Sequence, residues 1–119
     1  MIERMREAAG KGIFALQRCE VCGAAHYPPG AVCAACLSDR FAWEEAPERA
    51  GEVLARTVLH HSNDPRFRTT LPLAVGLVRL AVGPVVVCFL AGTCGPGEWV
   101  LVRASLDDAT RAVLTATPA

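Results

Sequence analysis

Two Cys-x-x-Cys pairs, Cys19-Glu20-Val21-Cys22 and Cys33-Ala34-Ala35-Cys36, constrain this chain more than any other feature. Two cysteines three apart place both sulfurs on one side of a tight turn. Two such turns facing each other supply four thiolates in a tetrahedron, the arrangement structural zinc prefers. The ten-residue spacer is shorter than the commonest zinc-ribbon spacing but belongs to the same pattern. Gly23, directly after the first pair, permits a positive φ at the turn. Leu37 stands at the matching place after the second pair and suits such a turn less well. Four thiolates would fill the coordination sphere, leaving no position for water or substrate. Such a site is structural, and its metal-binding free energy becomes folding free energy. Iron in place of zinc, a redox dithiol and two disulfides are the competing readings. A redox dithiol needs only one pair at a helix start, whereas two matched pairs are present here.

A chain of 119 residues and 12.6 kDa is one ordinary domain or two very small ones. Chains of this size bury a modest fraction of their surface, and a metal staple offsets that. Hydrophobic residues make up 52% of the chain and the formal charge is zero, which excludes a disordered chain, a polybasic arm and an acidic tail. The first seven residues are charged too often to form the apolar core of a signal peptide. The most apolar stretch, Leu71 to Cys94, is long enough to raise a membrane span, but Arg79 and Gly83-Pro84 interrupt it. It reads instead as two neighbouring strands. The expected protein is soluble and cytoplasmic, without a membrane partner, and its thiols stay reduced. Cys88 in an apolar strand and Cys94 in the following loop are expected as free thiols, and His26 between the knuckles as a surface residue.

Three segments follow along the chain. Residues 1–12 hold a short helix over 2–9, with Ile2, Met5 and Ala9 on one weakly apolar stripe and Gly10 as its stop. It either packs on its own domain or docks a partner. Residues 13–47 form the zinc ribbon, with strands over 13–18 and 41–44 flanking the cysteines and a linker at Ala46-Pro47-Glu48-Arg49. Residues 48–119 carry five β-forming stretches, near 53–60, 73–82, 85–90, 99–103 and 112–115, separated by turns. That pattern predicts a mainly β protein whose second part is a small barrel or sandwich. Asp107 to Arg111 reads equally as a tight turn or one helical turn.

The order of these motifs resembles a known family. Leu16-Gln17-Arg18-Cys19-Glu20-Val21-Cys22-Gly23, then Tyr27-Pro28-Pro29, the second cysteine pair, Gly51-Glu52-Val53, Thr57-Val58-Leu59-His60, and Leu71-Pro72-Leu73-Ala74-Val75-Gly76-Leu77-Val78 are similar to the DUF35 pattern. The resemblance covers nearly the whole chain. It implies a rubredoxin-like zinc ribbon joined to a five-stranded OB-fold barrel. It further implies a non-catalytic accessory subunit of an acyl-CoA-processing complex. The implied partner is a thiolase-superfamily enzyme, whose acyl-CoA site the subunit helps form or cover, or alternatively a hydratase or aldolase. Two features depart from the family pattern: Leu37 replaces a common glycine, and the C-terminus lacks the usual closing Phe-x-Pro.

The stretch from His60 to Leu71 is the candidate contact surface, through His60, His61, Arg66, Phe67 and Arg68. Arginine suits bidentate phosphate contact, and CoA carries several phosphates. The bland alternative is a solvated loop with Phe67 capping the barrel. An OB-fold that binds single-stranded nucleic acid is the competing class, and it wants a positive groove with stacking aromatics. Residues 51–119 carry six Lys and Arg against five Asp and Glu, so no nucleic-acid partner is expected. Their aromatics are Phe67, Phe89 and Trp99, and the last two are expected in the core. Catalysis by this chain alone is disfavoured, because His60, His61 and Asp64 are adjacent rather than facing.

Overall fold

The computed structural model describes residues 2–60, 73–107 and 110–119. Helix α1 (Ile2–Gly10) ends in a turn in which Lys11 N–H bonds Ala8 O at 3.0 Å and Gly12 N–H bonds Ala9 O at 3.0 Å. Gly12, at φ +74°, makes the left-handed exit expected at Gly10. Ala8 and Ala9 are buried where the helix crosses strands from both later segments, so it packs on its own chain.

The ribbon is a three-stranded antiparallel sheet in the order β2-β1-β3, from β1 (Phe14–Cys19), β2 (Ala25–His26) and β3 (Phe41–Ala46). Strand β1 is buried on both faces. Its Phe14 and Leu16 join the same apolar cluster as Val53, Val78, Val100 and Val102 of the second unit. A single core therefore serves both parts, which a chain of this size needs.

The second unit is a closed barrel of β4 (Arg49–Leu59), β5 (Leu73–Leu80), β6 (Val85–Leu90), β7 (Trp99–Leu106) and β8 (Ala112–Pro118). Their order is β4-β5-β6-β8-β7, with β7 closing back on β4. All pairs are antiparallel except β6 and β8, which pair in parallel at Phe89–Thr115 and Leu90–Ala116. This is the OB-fold arrangement. Period-two alternation turns Val78, Leu80, Val86, Cys88, Val100 and Val102 inward. A bulge at Leu54 shifts the β4 register and lets one strand bend around two sheet faces. Close strand approach explains two glycines. A Cβ on Gly76 would stand 2.6 Å from Leu90 Cδ1, and one on Gly51 2.5 Å from Val78 Cγ1.

The apolar stretch after residue 71 does form two antiparallel strands, joined by a turn with Gly83 at φ +125°. Between β7 and β8, Thr110 N–H bonds Asp107 O and Asp107 N–H bonds Arg111 O, both at 2.9 Å. These bonds tie together the described ends of the connection; Asp108 and Ala109 lie outside the described residues. Strand β8 closes the barrel through Val100–Pro118 to Leu106–Ala112 without a Phe-x-Pro.

Two expectations need correction. Arg49 is not linker: it opens β4 and is 7% exposed, because its guanidinium finds carbonyl partners in the ribbon. Trp99 is not core: it is 53% exposed, since the inward register of β7 belongs to Val100, Val102 and Ala104. Phe89 is half-buried. Among the described residues, no helix is long and apolar enough to cross a membrane.

Candidate metal centre

The two knuckles are copies of one backbone device. Gly23 N–H bonds Cys19 O at 3.0 Å and Cys19 N–H bonds Ala24 O at 2.8 Å. The second knuckle repeats both bonds: Leu37 N–H bonds Cys33 O at 2.8 Å and Cys33 N–H bonds Ser38 O at 2.7 Å. Gly23 has φ +79° and Leu37 has φ +64°. The sequence departure at Leu37 therefore changes the cost of the turn and leaves its shape intact.

These turns bring the four sulfurs together within 4.8 Å of one another. Cys19 and Cys36 Sγ are 3.5 Å apart, as are Cys22 and Cys33 Sγ. Zinc bound to four thiolates at ~2.3 Å requires sulfurs about 3.8 Å apart, so the set fits the ion. Cys19 and Cys33 are buried while Cys22 and Cys36 reach the surface. The Cys22 amide, ahead of smaller contributions, draws the Cys19 thiol down to about 6. The Ser38 amide favours the Cys36 thiolate, but burial and the three neighbouring sulfurs push that thiol up to about 12. Thiols this close do not all ionise without a cation among them. Cys19, Cys22, Cys33 and Cys36 would hold zinc, which supplies a closed structural cross-link.

His26 is not the plain surface residue expected. It is half-buried on β2, with Nε2 3.1 Å from Cys33 Sγ and its ring edge-on to Phe41 at 5.9 Å. Its place between the knuckles was the available signal, but the direction of the ring depended on β1, whose Gln17 it pairs with. Gln17 is itself buried and accepts from Gly30 N–H at 2.8 Å, pinning the Pro-Pro-Gly loop. Tyr27 in that loop packs edge-on to Phe14 at 5.5 Å.

A charged clamp connects the first knuckle to the barrel. Arg18 donates to Gly23 O at 2.7 Å and, through Nε, to Glu44 at 2.6 Å. Arg49 donates to the same Glu44 carboxylate at 3.2 Å. The bond from Arg18, then that from Arg49, holds the Glu44 carboxyl below its ordinary range.

Of the proposed contact residues, His60 is exposed just beyond the end of β4. His61, Arg66, Phe67 and Arg68 lie outside the described residues. Cys88 and Cys94 are free, buried thiols, and burial pushes Cys88 up to about 11.

Residues 6–42 match the family described as the ChsH2 rubredoxin-like zinc ribbon domain, and residues 43–110 match the ChsH2 C-terminal OB-fold domain. Comparison with curated protein sequences finds no significant match. Among solved structures, a chain described as "Ltp2-ChsH2(DUF35) aldolase" is 29% identical, with a TM-score of 0.79 over 98% of this chain and 92% of that one. A DUF35 protein of unknown function from Sulfolobus solfataricus is 14% identical, with a TM-score of 0.66 over 98% of this chain and 84% of that one. At that identity the second likeness shows the fold alone. With the OB-fold match alone spanning more than half its length, and a four-cysteine ribbon before it, the chain belongs to the DUF35 family.

Proposed function

We propose that this chain is a non-catalytic accessory subunit of an aldolase-type enzyme that acts on acyl-CoA, and that its partner belongs to the thiolase superfamily. The observation that carries the reading is the 29% identity, over nearly the full length of both chains, to the chain described as an Ltp2-ChsH2(DUF35) aldolase. That likeness favours an aldolase over a hydratase as the partner. The barrel surface agrees with a subunit role. Leu77 and Val87 are directly opposed on β5 and β6, and they are 41% and 63% exposed. Val75 and Phe89 form the next row of the same outward face, both half-buried. Apolar rows of this kind on a small soluble domain mark a contact surface. In this reading the zinc clamps the ribbon, the ribbon and barrel share one core, and that rigid body meets the enzyme. Arg66 and Arg68 serve the CoA phosphates of the assembled complex, as their residue type suits.

Co-purification of the full chain with its native partner tests the proposal. The expected result is recovery of an enzyme that cleaves an acyl-CoA by a retro-aldol reaction. Leu77→Asp with Val87→Asp is expected to abolish the recovery without loss of zinc. Arg66→Ala with Arg68→Ala is expected to leave the complex intact and weaken its acyl-CoA binding. Recovery of no acyl-CoA enzyme overturns the reading.

A further inference from the structure

We propose that His26 is a positioning residue of the metal centre, donating its Nε2–H to the Cys33 thiolate and slowing loss of zinc from the second knuckle. The geometry is direct: Nε2 lies 3.1 Å from Cys33 Sγ. A zinc-bound thiolate only accepts hydrogen bonds, so the proton of this contact belongs to the imidazole. Cys33 is 0% exposed, and water does not solvate its charge. A buried anion needs donors from the protein instead.

The two buried ligands have matching backbone donors. Cys22 N–H donates to Cys19 Sγ at 3.5 Å, and the amides of Ala35 and Cys36 favour the Cys33 thiolate in the same way. His26 adds a side-chain donor to the second knuckle, whose turn also carries a leucine in the left-handed region. Phe41 orients the ring. It sits edge-on at 5.9 Å and 89°, on β3 opposite Cys19, so the first knuckle and the imidazole share one support. Partners of this kind, one shell out from a metal, hold ligand geometry, and their removal costs about 10–100-fold in metal affinity.

Transfer of zinc from the loaded full-length protein to an excess of a chromophoric chelator tests the inference. His26→Phe keeps a ring against Phe41 and removes the donor. His26→Gln keeps an N–H donor. The expected result is zinc release about tenfold faster from His26→Phe, with His26→Gln restored toward the natural rate. In cobalt-loaded protein, the sulfur-to-metal charge-transfer band is expected to shift in His26→Phe and to return in His26→Gln, which a merely packing role would not produce. Equal release from His26→Phe and the natural protein overturns the proposal. So does equal acceleration, or equal failure to load metal, in both variants.

Discussion

Arg49 places its guanidinium carbon 5.5 Å from the centre of the Phe14 ring and its Nη2 3.3 Å from the Phe14 carbonyl oxygen. The first barrel strand thereby grips the first ribbon strand by face and by backbone. The same Nη2 reaches Glu44 O at 2.8 Å. Replacing Arg49 by methionine keeps an apolar stem and leaves those carbonyls without their donor. The expected loss is about 1.5–3 kcal/mol, the range for hydrogen bonds to charged groups. Urea denaturation of the zinc-loaded protein measures it, and an unchanged midpoint would show that the clamp contributes nothing.

Glu44 makes the clamp sensitive to acid. Its folded carboxyl sits below the ordinary 4.5, with Arg18 as the main cause and Arg49 contributing. A depressed carboxyl favours the fold when ionised, so its contribution is present above the unfolded value and is lost as pH falls through the folded one. With zinc in excess, the stability gap between the natural protein and Glu44→Gln is expected to be constant between about pH 6 and pH 5 and to narrow below about 4.5. A gap that widens in acid would contradict the assignment.

Gly76 sits where β4, β5 and β6 close in on one another. An added methyl would meet Leu90 Cδ1 at 2.6 Å and Ala55 O at 2.9 Å. The second of these is backbone and has little room to move. Gly76→Ala is expected to cost about 1–3 kcal/mol, as overpacked cores do. Thermal denaturation against the unaltered chain reads the loss directly.

The two knuckles predict opposite effects from opposite substitutions. Leu37 is 76% exposed at φ +64°, so its side chain gains little from burial while its backbone is strained. Relief of roughly 1–2 kcal/mol of left-handed strain, less the chain entropy of glycine, leaves Leu37→Gly more stable by about 0.5–1 kcal/mol. Gly23→Ala, at φ +79°, is expected to lose about 1 kcal/mol. A destabilised Leu37→Gly would mean that the exposed leucine has a packing role.

Removing zinc reaches beyond the ribbon. Phe14 and Leu16 belong to the barrel's own core cluster. Chelation is expected to strip amide protection from β1 and β3 first and to lower protection in β4 and β7 as well. Hydrogen exchange followed strand by strand separates this from a ribbon that melts alone, in which barrel protection would stay unchanged.

Cys19, Cys22, Cys33 and Cys36 were legible as a metal site because spacing within one turn sets where their sulfurs point. The strands of β5 and β6 were legible because alternation and a Gly-Pro break are also local. Arg49, His26 and Trp99 were not. Whether a polar side chain is buried, or an aromatic one exposed, depends on which distant strand supplies its neighbours, and no local pattern carries that. Tertiary structure alone decided that Arg49 lies beneath the ribbon, that His26 faces a ligand sulfur, and that the apolar residues surplus to the core emerge on the outer face of β5 and β6. A closed barrel has one interior and fills it from one face of each strand, so every further apolar residue on those strands is turned outward.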